Sequence, residues 1–220
     1  MDERYEHGYW SCAYQVSPVE HPPTLTRLLD IIREVEGHET GWPVWLILSN
    51  RPEMRPYPKN EIIECWLHET GLGDFWRADP RGRMFLARRP QEDLEAARGI
   101  EPGKYFELTL PAWRTGECLL HASRFAAKLE AESVELTMTW EGLQGRELSA
   151  FGSPHRMLMP GRICRENTVR TAITTPAAAI ADTLPDLVRQ LVEPLFTRFD
   201  FFEAPAELYT TETERMRRGT

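Results

Sequence analysis

Two Cys-x-x-His pairs, Cys65 with His68 and Cys118 with His121, are the residues best suited by type to bind a metal. Together they would complete a tetrahedral zinc site. Their spacing works against it. Cys65 and His68 fall in a strand-like run, where positions three apart face opposite sides, and Cys118 falls on the apolar face of a remote helix-like run. No metal site is expected. In that helix-like run Glu117 precedes His121 by four residues, so a carboxylate and an imidazole share a face, as a general base and its orienting partner do. The ordinary alternative is an ion pair near a helix start, where an acidic side chain also suits the dipole. Trp113 and Arg114 stand at the expected helix entrance. There a guanidinium and the first backbone N–H groups could hold a small anionic ligand. Neither G-x-S-x-G, a P-loop nor G-x-G-x-x-G occurs, so catalysis has no anchoring motif and no cofactor is expected.

A second constellation is the run from Asp74 to Arg89, DFWRADPRGRMFLARR, with aromatics and arginines around an Asp79-Pro80-Arg81-Gly82 turn. Trp76, Arg77, Arg83, Phe85 and Arg89 are the residue types from which single-stranded nucleic-acid platforms are built, the rings stacking on bases and the guanidinium groups meeting phosphates. Against this stands a plain hairpin, its inner face Met84 and Leu86 and its outer face solvated. Arginine over an aromatic ring also stabilises structure by itself. The plain hairpin is the favoured reading.

These residues must be positioned by elements that the hydropathy pattern outlines. Trp10, Cys12, Tyr14 and Val16 alternate with polar or small neighbours as in a strand with one buried face, and Val134, Leu136, Met138 and Trp140 do so again. Leu25, Leu28, Leu29, Ile32 and Val35 recur at helical spacing after Pro22-Pro23-Thr24, and Gly37 supplies a stop. Residues 43–49 read as a buried strand, 61–68, 75–77 and 83–88 as further strands, and 90–103 as a loop or short helix. The second part starts with a strand at 105–110. A helix capped by Thr115 follows, with Cys118, Ala122, Phe125, Ala126 and Leu129 on its apolar face. Strands at 146–151 and 169–174 come next. A long helical region opens at Thr175-Pro176, with Pro185 and Pro194 expected to break or kink it. The expected fold is α+β: a mixed, largely antiparallel sheet with helices on one side. It suggests two similar β-α-β-β halves, residues 1–103 and 104–220, in one compact domain. The tetrapeptide His-Glu-Thr-Gly occurs at 38–41 and 68–71 but follows different elements, so it marks turn chemistry and not a repeat.

The chain of 220 residues is long enough to bury a core, and its net charge of -8 argues against general duplex-DNA binding. Of its basic residues only Lys59, Lys104 and Lys128 are lysines. That preference for arginine looks like coding bias and weakens each arginine as a sign of phosphate recognition. The scattered Cys12, Cys65, Cys118 and Cys164 read as small core residues of a reducing compartment. No apolar run spans a bilayer and the first residues lack a signal-peptide core, so a cytoplasmic protein without a membrane partner is expected. The seven tryptophans suit a core or an interface.

Several short blocks resemble a known family: Gly41-Trp42-Pro43, Asp74-Phe75-Trp76-Arg77, Trp113-Arg114-Thr115-Gly116-Glu117 with Leu119-Leu120-His121-Ala122, Gly142-Leu143-Gln144-Gly145-Arg146-Glu147-Leu148, and Pro194-Leu195-Phe196 with Phe199-Asp200-Phe201-Phe202. They are similar to the C-terminal region of bacterial proteins whose N-terminal part is a Schlafen/AlbA-type DNA-binding domain, over roughly residues 5–202. The blocks are turn glycines, tryptophans and helix starts, so the resemblance implies no chemistry and no site residues. It implies a non-enzymatic accessory or regulatory domain that binds a partner protein or its own copy beside a nucleic-acid-binding module. Single-stranded nucleic-acid binding by the hairpin, and a ligand sensor or hydrolase using Trp113, Arg114, Glu117 and His121, are the alternatives.

Overall fold

A computed structural model describes residues 5–48, 50–98, 100–152 and 156–219. Nine strands and four α-helices occur among them: β1 Tyr9–Ser17, α1 Leu25–Val35, β2 Tyr57–Lys59, β3 Ile62–Leu67, β4 Asp74–Asp79, β5 Arg83–Arg88, β6 Tyr105–Glu107, α2 Leu110–Lys128, β7 Ser133–Glu141, β8 Glu147–Ser149, β9 Thr168–Pro176, α3 Leu184–Thr197 and α4 Ala206–Arg218. Seven strands make one antiparallel sheet in the order β2-β3-β4-β5-β1-β7-β9, while β6 and β8 pair in parallel in a separate small sheet. The α+β expectation holds, with one face of the large sheet covered by helices.

Alternation is the cause. Trp10, Cys12, Tyr14 and Val16 on β1 and Val134, Leu136, Met138 and Trp140 on β7 are buried, whereas Ala13, Gln15 and Glu135 between them are exposed. A side-chain period of two sends one set to the core and the other to water. The central helix α2 packs on β1 and β7, with α1, α3 and α4 beside it. Gly116 lets α4 approach α2, since a Cβ there would lie 2.9 Å from the Met216 side chain. The hairpin turn needs Gly82 at φ +84°, with the Val16 carbonyl 2.7 Å from where a Cβ would sit.

The two parts of the chain differ in construction. The first supplies β1 to β5 to the large sheet and the second only β7 and β9, because β6 is diverted into the small sheet. Three local expectations fail. Residues 43–48 form no strand: they are a buried irregular segment with Trp45 at φ 52°. Its carbonyls are met by side chains instead of a neighbouring strand, Leu46 accepting from Trp76 Nε1 at 3.0 Å and Pro43 from Arg88 at 2.7 Å. An apolar run signals burial, and burial alone does not imply strand pairing. Helix α2 begins at Leu110 and not at Thr115, which lies fully buried inside it. The segment after Thr175 is not helical at first. β9 runs to Pro176, a 3₁₀ turn follows, and α3 starts at Leu184 with Pro185 in its first turn, where the missing N–H costs nothing. α3 continues through Pro194 to Thr197.

Candidate functional site

The pair and pocket expected around α2 are not assembled. The helix N-terminus is already occupied by the protein's own carboxylate. Glu107 at the end of β6 accepts from the Thr109 N–H at 2.6 Å, the Leu110 N–H at 3.1 Å and the Thr109 hydroxyl. Burial still pushes the Glu107 carboxyl above its ordinary range despite these bonds. Trp113 turns toward α4, its indole donating to Glu212 at 2.8 Å. Arg114 turns the other way, to Glu117 at 2.6 Å, Thr40 at 2.8 Å and Gln91 at 2.7 Å. Glu117 is thereby committed to Arg114 and to the Thr40 hydroxyl. His121 is fully buried, bonded through Nδ1 to Tyr14 at 2.8 Å and stacked on Trp45 at 4.4 Å. Glu117 and His121 share a helix face as their spacing implies, yet each has a different partner.

Burial pushes the His121 imidazole down to about 3, with Arg124 adding repulsion. Glu92, also buried, is pushed up to about 7 by the same loss of solvent, with the Glu107 N–H and the nearby Arg146 pulling the other way. The two act on stability in opposite senses. Between about pH 3 and 6.5 the unfolded imidazole binds a proton that the folded one refuses, so His121 lowers stability as pH falls. Between about pH 4.5 and 7 the folded Glu92 keeps a proton that the unfolded chain releases, so Glu92 lowers stability as pH rises. Each slope approaches 1.4 kcal/mol per pH unit, and they offset one another where the windows overlap. Denaturation of Glu92→Gln across pH 4.5–6.5 should uncover a rise in stability with pH steeper than that of the unaltered chain. Parallel curves would contradict this assignment.

Two further buried ion pairs resemble the Arg114–Glu117 pair. Arg88 meets Asp74 at 2.6 Å and also donates to the Trp42 and Pro43 carbonyls. Arg146 meets Asp93 at 2.7 Å and donates to the carbonyls of His7, Tyr105 and Gly142. Arg88, Arg114 and Arg146 all border one cleft with Trp10, Phe106 and Trp140, which has room for a water and not for a substrate. Their guanidinium N–H groups are spent on the protein's own carbonyls, carboxylates, the Thr40 hydroxyl and the Gln91 amide, so Arg88 and Arg146 clamp irregular segments and Arg114 ties α2 to Thr40 and Gln91.

The hairpin residues divide. Trp76 is 0% exposed and faces the core, out of reach of a base, because its neighbours Phe75 and Arg77 take the outer face. Arg77, Arg83 and Phe85 do lie on that face, and Arg89 lies past the end of β5 at the cleft. Trp66, Phe75 and Phe85 form a row there, with ring centroids 5.1 and 6.4 Å apart, and Arg77 stands 5.0 Å over Phe75. The cations are paired: Arg77 and Lys59 with Glu64 at 2.7 and 3.1 Å, Arg81 with Glu61 at 2.7 Å, Arg83 with Asp79. Phosphate would have to displace these carboxylates. The Cys-x-x-His pairs do not converge: Cys65 is buried and donates to the Met54 carbonyl, His68 is exposed, and no group of three metal-ligating side chains occurs among the described residues.

The most unusual surface lies where sequence reading placed no site. Between β8 and β9 the described residues, 150–152 and 156–167, carry little regular structure, and a connection of that sequence length usually signals function. Met157 is 97% exposed, Met159 74% and Phe202 67%, and Ile163 and Phe151 are exposed as well. These are five of the seven large exposed apolar residues among those described, the others being Tyr57 and Leu94. Arg156, Met157 and Leu158 form a ridge between two shallow grooves. One is floored by Leu108, Phe201, Pro205 and Leu208, the other by Tyr105, Leu148 and Phe151. The ridge is pinned by Arg156 to Glu212 at 2.6 Å, and the segment returns through Cys164, whose N–H bonds Arg146. The signal was in the sequence: Met157-Leu158-Met159 is apolar yet belongs to neither a two- nor a 3.6-residue period.

No family model, curated protein or solved structure matches the chain. Among the described residues no helix is long and apolar enough to cross a membrane.

Proposed function

We propose that the protein is a non-enzymatic interaction module that docks another protein through the apolar face of residues 156–163 with Phe151 and Phe202. The observation that carries this is the exposure of Met157 and Met159 on a pinned ridge between apolar grooves. Large apolar side chains so exposed are surfaces that a partner can cover, and methionine adapts to varied partner shapes. The resemblance to the C-terminal region of Schlafen/AlbA-type proteins supports a partner that is, or accompanies, a nucleic-acid-binding module. The commitment of Arg114 and Glu117 to internal bonds and the full burial of His121 speak against the sensor or hydrolase alternative.

Native mass spectrometry of the chain recovered from cells at low salt tests the reading. A discrete protein mass other than that of a second copy of the chain should accompany it and be lost in Met157→Glu/Met159→Glu. Recovery of the same adduct from that variant would contradict it. The aromatic row Trp66, Phe75 and Phe85 favours a second reading, a base-stacking face. It requires salt-sensitive binding of a labelled single-stranded oligonucleotide that falls on Phe75→Ala or Arg83→Ala. No binding at low salt removes it.

A further inference from the structure

The two edges of the seven-stranded sheet are built differently. At one edge β2 has three residues, with Pro58 in the middle and Lys59 exposed at its end. Shortness, proline and lysine are the usual devices that keep an edge from pairing with another chain. At the other edge β9 runs for nine residues, Thr168 to Pro176, with one charge, Arg170, and no proline before the last position. β7 pairs with it along its whole length on one side. No described residue makes a backbone hydrogen bond to its other side. A long edge of threonine, valine and isoleucine with a single charge and a proline only at its end is a template for another strand.

We infer that β9 pairs with β9 of a second copy, antiparallel about a two-fold axis through Ala172, joining two sheets into one. In an antiparallel pair the opposed residues share a face, so a symmetric pairing must centre on a residue, and Ala172 is the centre that engages all nine. Ala172 then faces Ala172, Thr171 faces Ile173, Arg170 faces Thr174 and Val169 faces Thr175. No like charges oppose one another, and β-branched side chains meet on the buried face. Ala172 at the axis is small and exposed, so nothing on that face obstructs the partner. A two-fold interface is the commonest way for a chain to meet its own copy. This interface is separate from the 156–163 face and does not depend on it.

The test uses the full chain with single cysteines introduced on the exposed face of β9. The native Cys12, Cys65, Cys118 and Cys164 are buried and do not compete. Under mild oxidation Ala172→Cys should form a disulfide dimer, Thr174→Cys alone should not, and a mixture of Arg170→Cys with Thr174→Cys chains should. Sedimentation should show a dimer that Ala172→Lys weakens several-fold and Ala172→Glu weakens likewise, with the mixed variants restoring it. A chain that sediments as a monomer at every concentration, or that crosslinks equally at 172 and 174, overturns the inference. A dimer that Met157→Glu/Met159→Glu abolishes while Ala172→Lys spares it also overturns the inference, because it places self-association on the apolar face.

Discussion

Asp74→Asn should cost about 3–5 kcal/mol of folding free energy, because it leaves Arg88 charged and uncompensated in the core. Both side chains are at most 1% exposed, and the guanidinium is held by two carboxylate oxygens at 2.6 and 2.9 Å. Against a typical total of roughly 5–15 kcal/mol that is a large share. The loss should concentrate on the irregular segment over the sheet, since Asp74 also accepts from Trp42 and Arg88 holds the Trp42 and Pro43 carbonyls. Replacing both partners, Asp74→Leu with Arg88→Met, should recover only part of the loss, because those carbonyls stay unpaired at about 1–3 kcal/mol each. The exposed pair Arg33–Asp30 is the control, and Asp30→Asn should change stability by about 0–1 kcal/mol. Urea denaturation followed by tryptophan fluorescence reads all three. A cost for Asp74→Asn no greater than that for Asp30→Asn would show that the clamp does not hold the segment.

Met157→Glu/Met159→Glu should have the opposite profile, with stability within about 0.5 kcal/mol of the unaltered chain and partner affinity reduced at least about 30-fold. The first half follows from exposure: 97% and 74% of these side chains already face water, so the isolated fold loses almost no packing. The second half follows from position. Met157 borders both grooves, so a carboxylate there must be desolvated by whatever fills either one. A variant that unfolds would show the ridge to be a structural strap. A stable variant with unchanged affinity would move the docking face elsewhere.

The parts of the fold legible in the sequence are those where one face is dry and the other wet. Residues 12–16 and 133–141 alternate because the opposite face of the sheet is exposed or only half-buried there. The hairpin was legible through its turn chemistry and Gly82. Where burial and hydrogen bonding come apart, the reading failed. Residues 43–48 are as apolar as a strand, but their carbonyls pair with Trp76 and Arg88, which only tertiary contacts supply. The start of α2 was misplaced because its N-cap residue, Thr109, makes no side-chain cap bond, and the carboxylate of Glu107 on the preceding strand accepts from the first N–H groups instead. α4 was missed because its buried face includes Glu212 and Thr213, which read as solvent-facing until Trp113 and Arg156 are seen to satisfy Glu212. The candidate site was hidden for a related reason: Asp74 and Arg88 look like ordinary surface charges of a hairpin, and Met157 and Met159 look like core.

Photo-crosslinking in cells tests the central claim most directly. A benzophenone side chain placed at position 159 samples the apolar face, and one placed at Arg33 samples an exposed helix side. The account predicts a discrete protein adduct from position 159, absent from position 33 and lost when Met157→Glu is added. Equal, diffuse labelling from both positions, or an adduct that survives Met157→Glu, would contradict it.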